Sequence, residues 1–441
     1  MAQTRRGMPL HTKILLGLVL GGAAGVAAQA ALGLEHEGLN YAVTNFAKPI
    51  GKVFMNILFM IVVPLLFSAL VIGVTEIGDA RKVGRVGMLT LLMTVLLSGT
   101  AVGIGLLAVN AVRPGEGIDT AQRERLMSLY GDPKKAGELQ AKAKEGEEKG
   151  IATTITEIVP SNPLESAANA MQGGLLPFMF FALVFGLALG ATDPEKALPV
   201  KQFLEGIFAA SLKVIDFAMR MAPYGVFALA FGMTAVLGSE AIFALGKYAV
   251  LVLVALLFHQ VVVYSLAIWG IARRKPMEFF RQIKVVMITA FATSSSNATL
   301  PTALKSAEED VGLPRDVSNF VLTIGATANQ NGTALFEGIT VIFLAQLYGV
   351  QLELGGQLTV MLLAIVGGIG TAGVPGGSWP FIAIILATIG VPPEAIGLCL
   401  GIDRILDMSR TVLNVSGDIT IAACVARLVG RPSTEAEPAN A

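Results

Sequence analysis

The sequence predicts an all-α, polytopic membrane protein, and three observations carry that prediction. Of 441 residues, 54% are hydrophobic and 15% are charged, whereas soluble domains carry about 25% charge. Apolar runs long enough to cross a bilayer recur along the chain. The 49 glycines are too many for plain anchors and imply closely packed helices with interrupted backbone. Lys and Arg number 32 and Asp and Glu number 32, so no net charge argues for a nucleic-acid partner. The only cysteines, Cys399 and Cys424, exclude a disulfide-built fold and a Cys-rich metal site.

The first apolar run, 14–34, follows Arg5, Arg6 and Lys13. It is long enough to span and more spans follow, which favours a retained first transmembrane helix over a cleaved signal peptide. Further runs lie at about 46–74, 88–112, 172–192, 204–237 and 242–272, with several more from 280 to 428. Basic residues follow the second run (Arg81, Lys82, Arg85), the sixth (Arg273, Arg274, Lys275) and the last (Arg427, Arg431). With the basic N-terminus they set both termini on the cytoplasmic side. The polar stretch from Arg113 to about Glu165 then lies outside. It mixes Lys and Glu and is poor in large apolar residues, as a flexible loop is.

The C-terminal half departs from a simple row of spans. One apolar segment breaks at Thr293-Ser294-Ser295-Ser296-Asn297-Ala298-Thr299-Leu300-Pro301, and another at Gly370-Thr371-Ala372-Gly373-Val374-Pro375-Gly376-Gly377-Ser378. Each tip sits between arms too short to span, the pattern of a re-entrant hairpin. Non-helical backbone at membrane depth survives only inside protein or along a wet cavity, and a pair of such segments points to a transporter's binding site. The plainer reading makes the Ser and Gly positions mere helix-packing contacts, and it has to apply twice.

Between the hairpins, Asn329-Gln330-Asn331-Gly332-Thr333 interrupts the apolar stretch 320–347. A local unwinding there turns carbonyls and side-chain oxygens toward a cation or substrate; the alternative is an amide network linking helices. The strongest signal follows. Asp403, Asp407, Arg410, Thr411, Asn414 and Asp418 fall within a sector of roughly 80–120° on one otherwise apolar helix. Each buried charge there is costly unless paired or hydrated. Arg410 suits a carboxylate taken bidentately, and Asp407, three residues earlier on the same face, suits an ammonium. A self-contained Asp407–Arg410 pair is the alternative, and it leaves Asp403, Asn414 and Asp418 unexplained.

The order of Ser-rich tip, amide-rich break, Gly-Val-Pro-Gly tip and the helix from Asp403 to Asp418 resembles the dicarboxylate/amino acid:cation symporters, the glutamate and aspartate transporter family. The resemblance runs from the first span to about Arg427. It implies a homotrimer in the inner or plasma membrane, each protomer with eight transmembrane helices and two re-entrant hairpins in the elevator fold. Scaffold helices one and two would occupy 1–87 and helices four and five 171–240. Helix three (88–112), helix six (241–275) and a core of hairpins with helices seven and eight (276–432) would form the moving transport domain. The outer loop would be 113–170, with a disordered tail at 433–441.

By motif, the resemblance gives Arg410 the substrate side-chain carboxylate, with Thr333 close by. Asp407 takes the amino group, and Thr411 and Asn414 take the main-chain amine and carboxylate. Ser295 and Ser296 in the first tip, with Val374, Gly376 and Ser378 in the second, complete the pocket. Having both the acid at 407 and the arginine favours aspartate or glutamate over C4-dicarboxylates or neutral amino acids. Val374 to Ser378 would form a mobile gate, and Trp379-Pro380, unusual for the family, either stiffens it or narrows the pocket.

Ion coupling departs from the family pattern. The break is usually Asn-Met-Asp-Gly-Thr, so Asn331 replaces a carboxylate that ligates sodium, and Gln330 replaces the methionine. The matching positions on helix three, Thr94, Leu97 and Ser98, retain few of the usual oxygens. Cation or proton positions then rest on Asp418, Asn414, Asn329, Gln330, Asn331, Thr327, Thr371 and Asp403. Removing a formal charge weakens a site for a hard cation. Substrate binding with little or no sodium dependence is expected, with no cofactor beyond sodium or a proton as coupling ion. An intramembrane hydrolase built on Ser294, Ser295 or Ser296 lacks a base, since His11, His36 and His259 lie away from the polar breaks in sequence. A channel is disfavoured because mixed charges on one face make no single-sign filter.

Overall fold

The structure is a computed structural model that describes residues 8–33, 36–80, 84–119, 121–122, 124–126, 159–170, 174–370 and 376–430. Every regular element among the described residues is helical. Among the described residues, six helical stretches are long and apolar enough to cross a membrane, and large side chains such as Leu107, Phe243 and Trp269 stand outward on them. Lipid is the medium that surface fits.

One packing group is built on α1 (Leu10–Leu32), α2 (Lys48–Phe59) and α3 (Val62–Ala80). The second span, expected as one run, breaks at Met60–Ile61. Pro64 supplies no N–H for the carbonyl four residues back and its ring crowds it, which ends α2 there. The next helices are α4 (Arg85–Val112), α5 (Leu175–Ala191) and α6 (Pro194–Leu237). The last of these starts ten residues before the apolar run does. The Asp193 carboxylate accepts the Glu195 N–H at 3.0 Å and Pro194 stands at the first position, where its missing N–H costs nothing. Helix α1 lies along α6 at backbone distance: a Cβ on Gly17, Gly21 or Gly25 would meet the carbonyl oxygens of Pro223, Phe227 and Phe231. Helices α2 and α3 pack on α6, and α5 packs on α3.

A second group gathers around the last helix. It comprises α4, α7 (Ser239–Phe258), and the two arms of the first hairpin, α8 (Lys284–Thr293) and α9 (Ser296–Glu309). Helices α10 (Arg315–Ala328) and α11 (Asn331–Leu347) follow, then the second-hairpin arms α12 (Leu354–Gly370) and α13 (Trp379–Thr388). Last comes α14 (Asp403–Leu428). At 1.5 Å per residue the four hairpin arms reach about 15–26 Å, short of the ~30 Å hydrocarbon core. Helix α14 packs against α10, α8 and α11, and then α9, α4 and α7. Of its most apolar window 83% is buried, against 28% for the first span, so α14 is the centre of this group.

The first tip is shorter than its polar sequence suggests. Only Ser294 and Ser295 leave the helices. Ser294 adopts a left-handed φ of 52° and the Ser295 hydroxyl accepts the Ala298 N–H at 3.2 Å, so the helix restarts at Ser296 and carries Pro301 inside it. The sixth span holds an unexpected π-turn at His259–Val263 before helix resumes at Tyr264–Gly270. The expected outer loop lies outside the described residues from 127 to 158, and so does the expected tail at 433–441.

Candidate functional site

The helix breaks at the amide-rich stretch, and its amides link neighbouring helices, the alternative reading of that stretch. Helix α10 ends at Ala328 and α11 begins at Asn331, leaving Asn329 and Gln330 between them, buried beside α14. Unwinding exposes the first N–H groups of α11, and Asn414 caps them. Its Oδ1 accepts the N–H of Gly332 at 2.7 Å and of Thr333 at 3.4 Å. Its Nδ2 donates to Gln330 Oε1 at 2.5 Å and to Thr333 Oγ1 at 3.1 Å. Asn414 therefore ties the broken helix to α14 with all of its amide.

The charged end of the α14 face is compact. Asp403, Asp407 and Arg410 are all buried. The Arg410 Nε donates to Asp407 Oδ1 at 2.9 Å, and its NH2 lies 2.8 Å from the same oxygen as an ion pair. Its NH1 lies 3.2 Å from Asp403 Oδ1, yet that contact is misaligned and neither atom makes a hydrogen bond. The guanidinium also sits 4.3 Å over the Phe336 ring. Arg410 is thus held in place with NH1 ion-paired to Asp403 but not hydrogen-bonded, so that an incoming carboxylate has Asp403 to displace there. The Thr411 hydroxyl donates to the Asp407 carbonyl at 2.8 Å.

The other end of the same face is a network of amides. Asn329 Nδ2 donates to Asp418 Oδ1 at 2.7 Å. Asp418 fits there because Gly325 has no side chain: a Cβ at 325 would meet its Oδ1 and Cγ. Gln330 Nε2 donates to the Ala326 carbonyl at 3.0 Å and to Ser296 Oγ at 3.5 Å, reaching the first tip. Asn331 receives the Ser98 hydroxyl of α4 on its Oδ1 at 2.5 Å and donates to the Tyr264 hydroxyl at 3.0 Å, which in turn donates to the Leu413 carbonyl at 3.1 Å.

Ser294 and Ser378, one at each tip, bury hydroxyls that make no hydrogen bond. Gly376 turns the second tip with φ 78°. Thr327 stands apart from the cluster, half-buried, donating to the Ile324 carbonyl at 3.0 Å. Thr371 and Val374 lie outside the described residues.

Two groups escaped the sequence reading. Glu337, fully buried on α11 one turn beyond Thr333, is a fourth membrane carboxylate. It was visible as a lone acid inside the apolar run 320–347 but marks no break. Tyr264 completes the Asn331 network from a span 67 residues away, and nothing local in sequence marks it.

Residues 10–428 match the sodium:dicarboxylate symporter family. The chain belongs to that family. It is 34% identical over 422 residues to the proton/sodium-glutamate symport protein of Bacillus subtilis (strain 168), covering 96% of this chain and 93% of that protein. It is 32% identical over 422 residues to the proton/glutamate-aspartate symporter of Escherichia coli (strain K12), covering 95% and 92%. The C4-dicarboxylate transport protein of Bacillus subtilis (strain 168) is 30% identical over 390 residues, covering 86% and 87%. Membership makes this a multi-pass membrane transporter and not an enzyme.

Proposed function

We propose that the chain is a secondary active transporter for aspartate or glutamate with little or no sodium dependence and with proton coupling. The observation that carries the substrate reading is the pairing of Arg410, whose NH1 makes no hydrogen bond, and Asp407 on one buried face. Arg410 binds the side-chain carboxylate and Asp407 the ammonium, while Thr411, Thr333 and the tips around Ser295–Ser296 and Val374–Ser378 enclose the main chain. A C4-dicarboxylate has no amine to offset the Asp407 charge, which disfavours that substrate.

The coupling reading rests on the amides. Asn329 aims an N–H at Asp418, and Asn331 is spent on Ser98 and Tyr264. An N–H that already faces a carboxylate competes with sodium for it, and a neutral amide holds a hard cation less firmly than a carboxylate. Asp418 and Glu337 are then the buried carboxylates to carry a proton. The second reading, a sodium-coupled symporter, rests on the same Asp418 carboxylate ligating sodium once the Asn329 amide rotates away.

The two packing groups of helices support a division into scaffold (1–87 and 171–240) and transport domain (88–112 and 241–432), moving as an elevator. We infer eight transmembrane helices, a homotrimer and cytoplasmic termini on the same footing. Radiolabelled aspartate uptake into proteoliposomes tests the whole reading. Uptake should follow an inward proton gradient and persist when choline replaces sodium; uptake that requires sodium selects the second reading, and no uptake rejects the substrate.

A further inference from the structure

Trp379 opens α13 directly after the second tip and is 1% exposed. Its indole N–H donates to Asp403 Oδ2 at 2.9 Å. Its ring meets Phe336 edge-on at 5.5 Å, and Phe336 carries the Arg410 guanidinium on its face. Trp379, Asp403, Arg410 and Phe336 thus close a circuit that joins the second hairpin to α14 and α11. The two oxygens of Asp403 are unequal within it. Oδ2 has a well-placed donor, whereas Oδ1 faces Arg410 NH1 at 3.2 Å without a hydrogen bond.

That inequality has a chemical consequence. A carboxylate arriving at Arg410 must compete with Asp403 and Asp407 for one guanidinium. A buried acid that loses its only partner is costly, so an Asp403 bound solely to Arg410 would resist displacement. With the indole on Oδ2, Asp403 stays satisfied when the ligand takes NH1. Pulling the hairpin outward removes the indole and turns Asp403 back onto Arg410 as a competitor. We propose that Trp379 is a positioning residue that, through Asp403, links seating of the second hairpin to a carboxylate on Arg410. By linkage, a seated indole raises affinity for the carboxylate by the same factor that the carboxylate favours seating. The inference rests on the proposed role of Arg410 as the substrate's carboxylate site.

The chain holds only two tryptophans, and the other, Trp269, is 65% exposed. Full-length W269F protein therefore reports Trp379 alone. Aspartate should shift its emission, saturating where calorimetry saturates. W379F, which keeps a ring and loses the N–H, should weaken aspartate binding about tenfold, the worth of a hydrogen bond to a charged group. In a D403N background the same change should cost nothing further, because the residue it acts through has lost its charge. Emission unmoved by saturating aspartate overturns the inference, as does an equal W379F loss in both backgrounds, which means core packing alone. Should W379F or D403N fail to fold, the emission titration decides by itself. Wild-type protein that binds no aspartate in calorimetry rejects the substrate reading, and the inference with it; binding with an indifferent indole rejects the inference only.

Discussion

The two ends of the α14 face differ in kind. Around Arg410 the groups are formal charges, two carboxylates on one guanidinium. One to two turns further on, around Asn414 and Asp418, the neighbouring groups are neutral amides from the helix break: Asn329 on Asp418, Gln330 on Asn414, and Asn331 on Ser98 and Tyr264. On the proposed function, charge is kept where a ligand with two charges of opposite sign would bind and thinned where a metal cation would have to be stripped of water and held.

Breaking the charged end should produce the largest effect. Arg410→Ala leaves Asp403 and Asp407 buried without their counter-charge, a loss of about 3–5 kcal/mol for such pairs. Aspartate binding should fall beyond about a hundredfold (~2.7 kcal/mol). Calorimetry showing affinity within about threefold (~0.65 kcal/mol) of wild type would sink the pocket assignment. Asp407→Asn should come next, with aspartate weakened at least about tenfold (~1.4 kcal/mol) and succinate barely changed. Equal losses for both ligands would make Asp407 a structural partner of Arg410.

The amide end should respond through coupling more than affinity. Uptake in wild type should vary with external pH, and either Asp418→Asn or Glu337→Gln should flatten that profile, naming the carrier. A profile that survives both substitutions removes the proton from these carboxylates. The smallest effect concerns sodium: replacing it with choline should shift aspartate affinity by less than about threefold (~0.65 kcal/mol). Asn331→Asp, which returns a carboxylate beside Ser98 and Tyr264, should steepen that response. A loss of a hundredfold or more on withdrawing sodium from wild type would mean that the remaining oxygens still hold the ion.

Much of this division is legible before any coordinates. Polar groups in apolar runs are expensive, so Asn329–Thr333 and the Asp403–Asp418 face stand out, and both are buried together in the structure. Short arms about a polar tip betray the hairpins for the same reason. What is not legible depends on contacts between distant segments. The Trp379–Asp403 bond joins residues 24 apart and the Ser98–Asn331 bond residues 233 apart. The tip at Ser294–Ser295 is shorter than its composition suggests, because serine and threonine side chains satisfy the backbone and let helix resume. The π-turn at His259–Val263 begins on the polar pair His259–Gln260, which the apolar run around it does not identify as a change of helix register.

The glycine seam between α1 and α6 bears on how the chain is assembled. Gly17 meets Pro223, 206 residues later. At synthesis rates of about 5–20 residues per second, the first helix waits roughly 10–40 s for its partner to emerge. During that wait its bare face is bathed in lipid tails, which fill the groove at little cost because lipid is as apolar as the partner. Insertion and assembly are thereby separate events for this helix. A leucine at Gly21 should leave the first untouched and obstruct the second, giving a protein that reaches the membrane on schedule and is then degraded there.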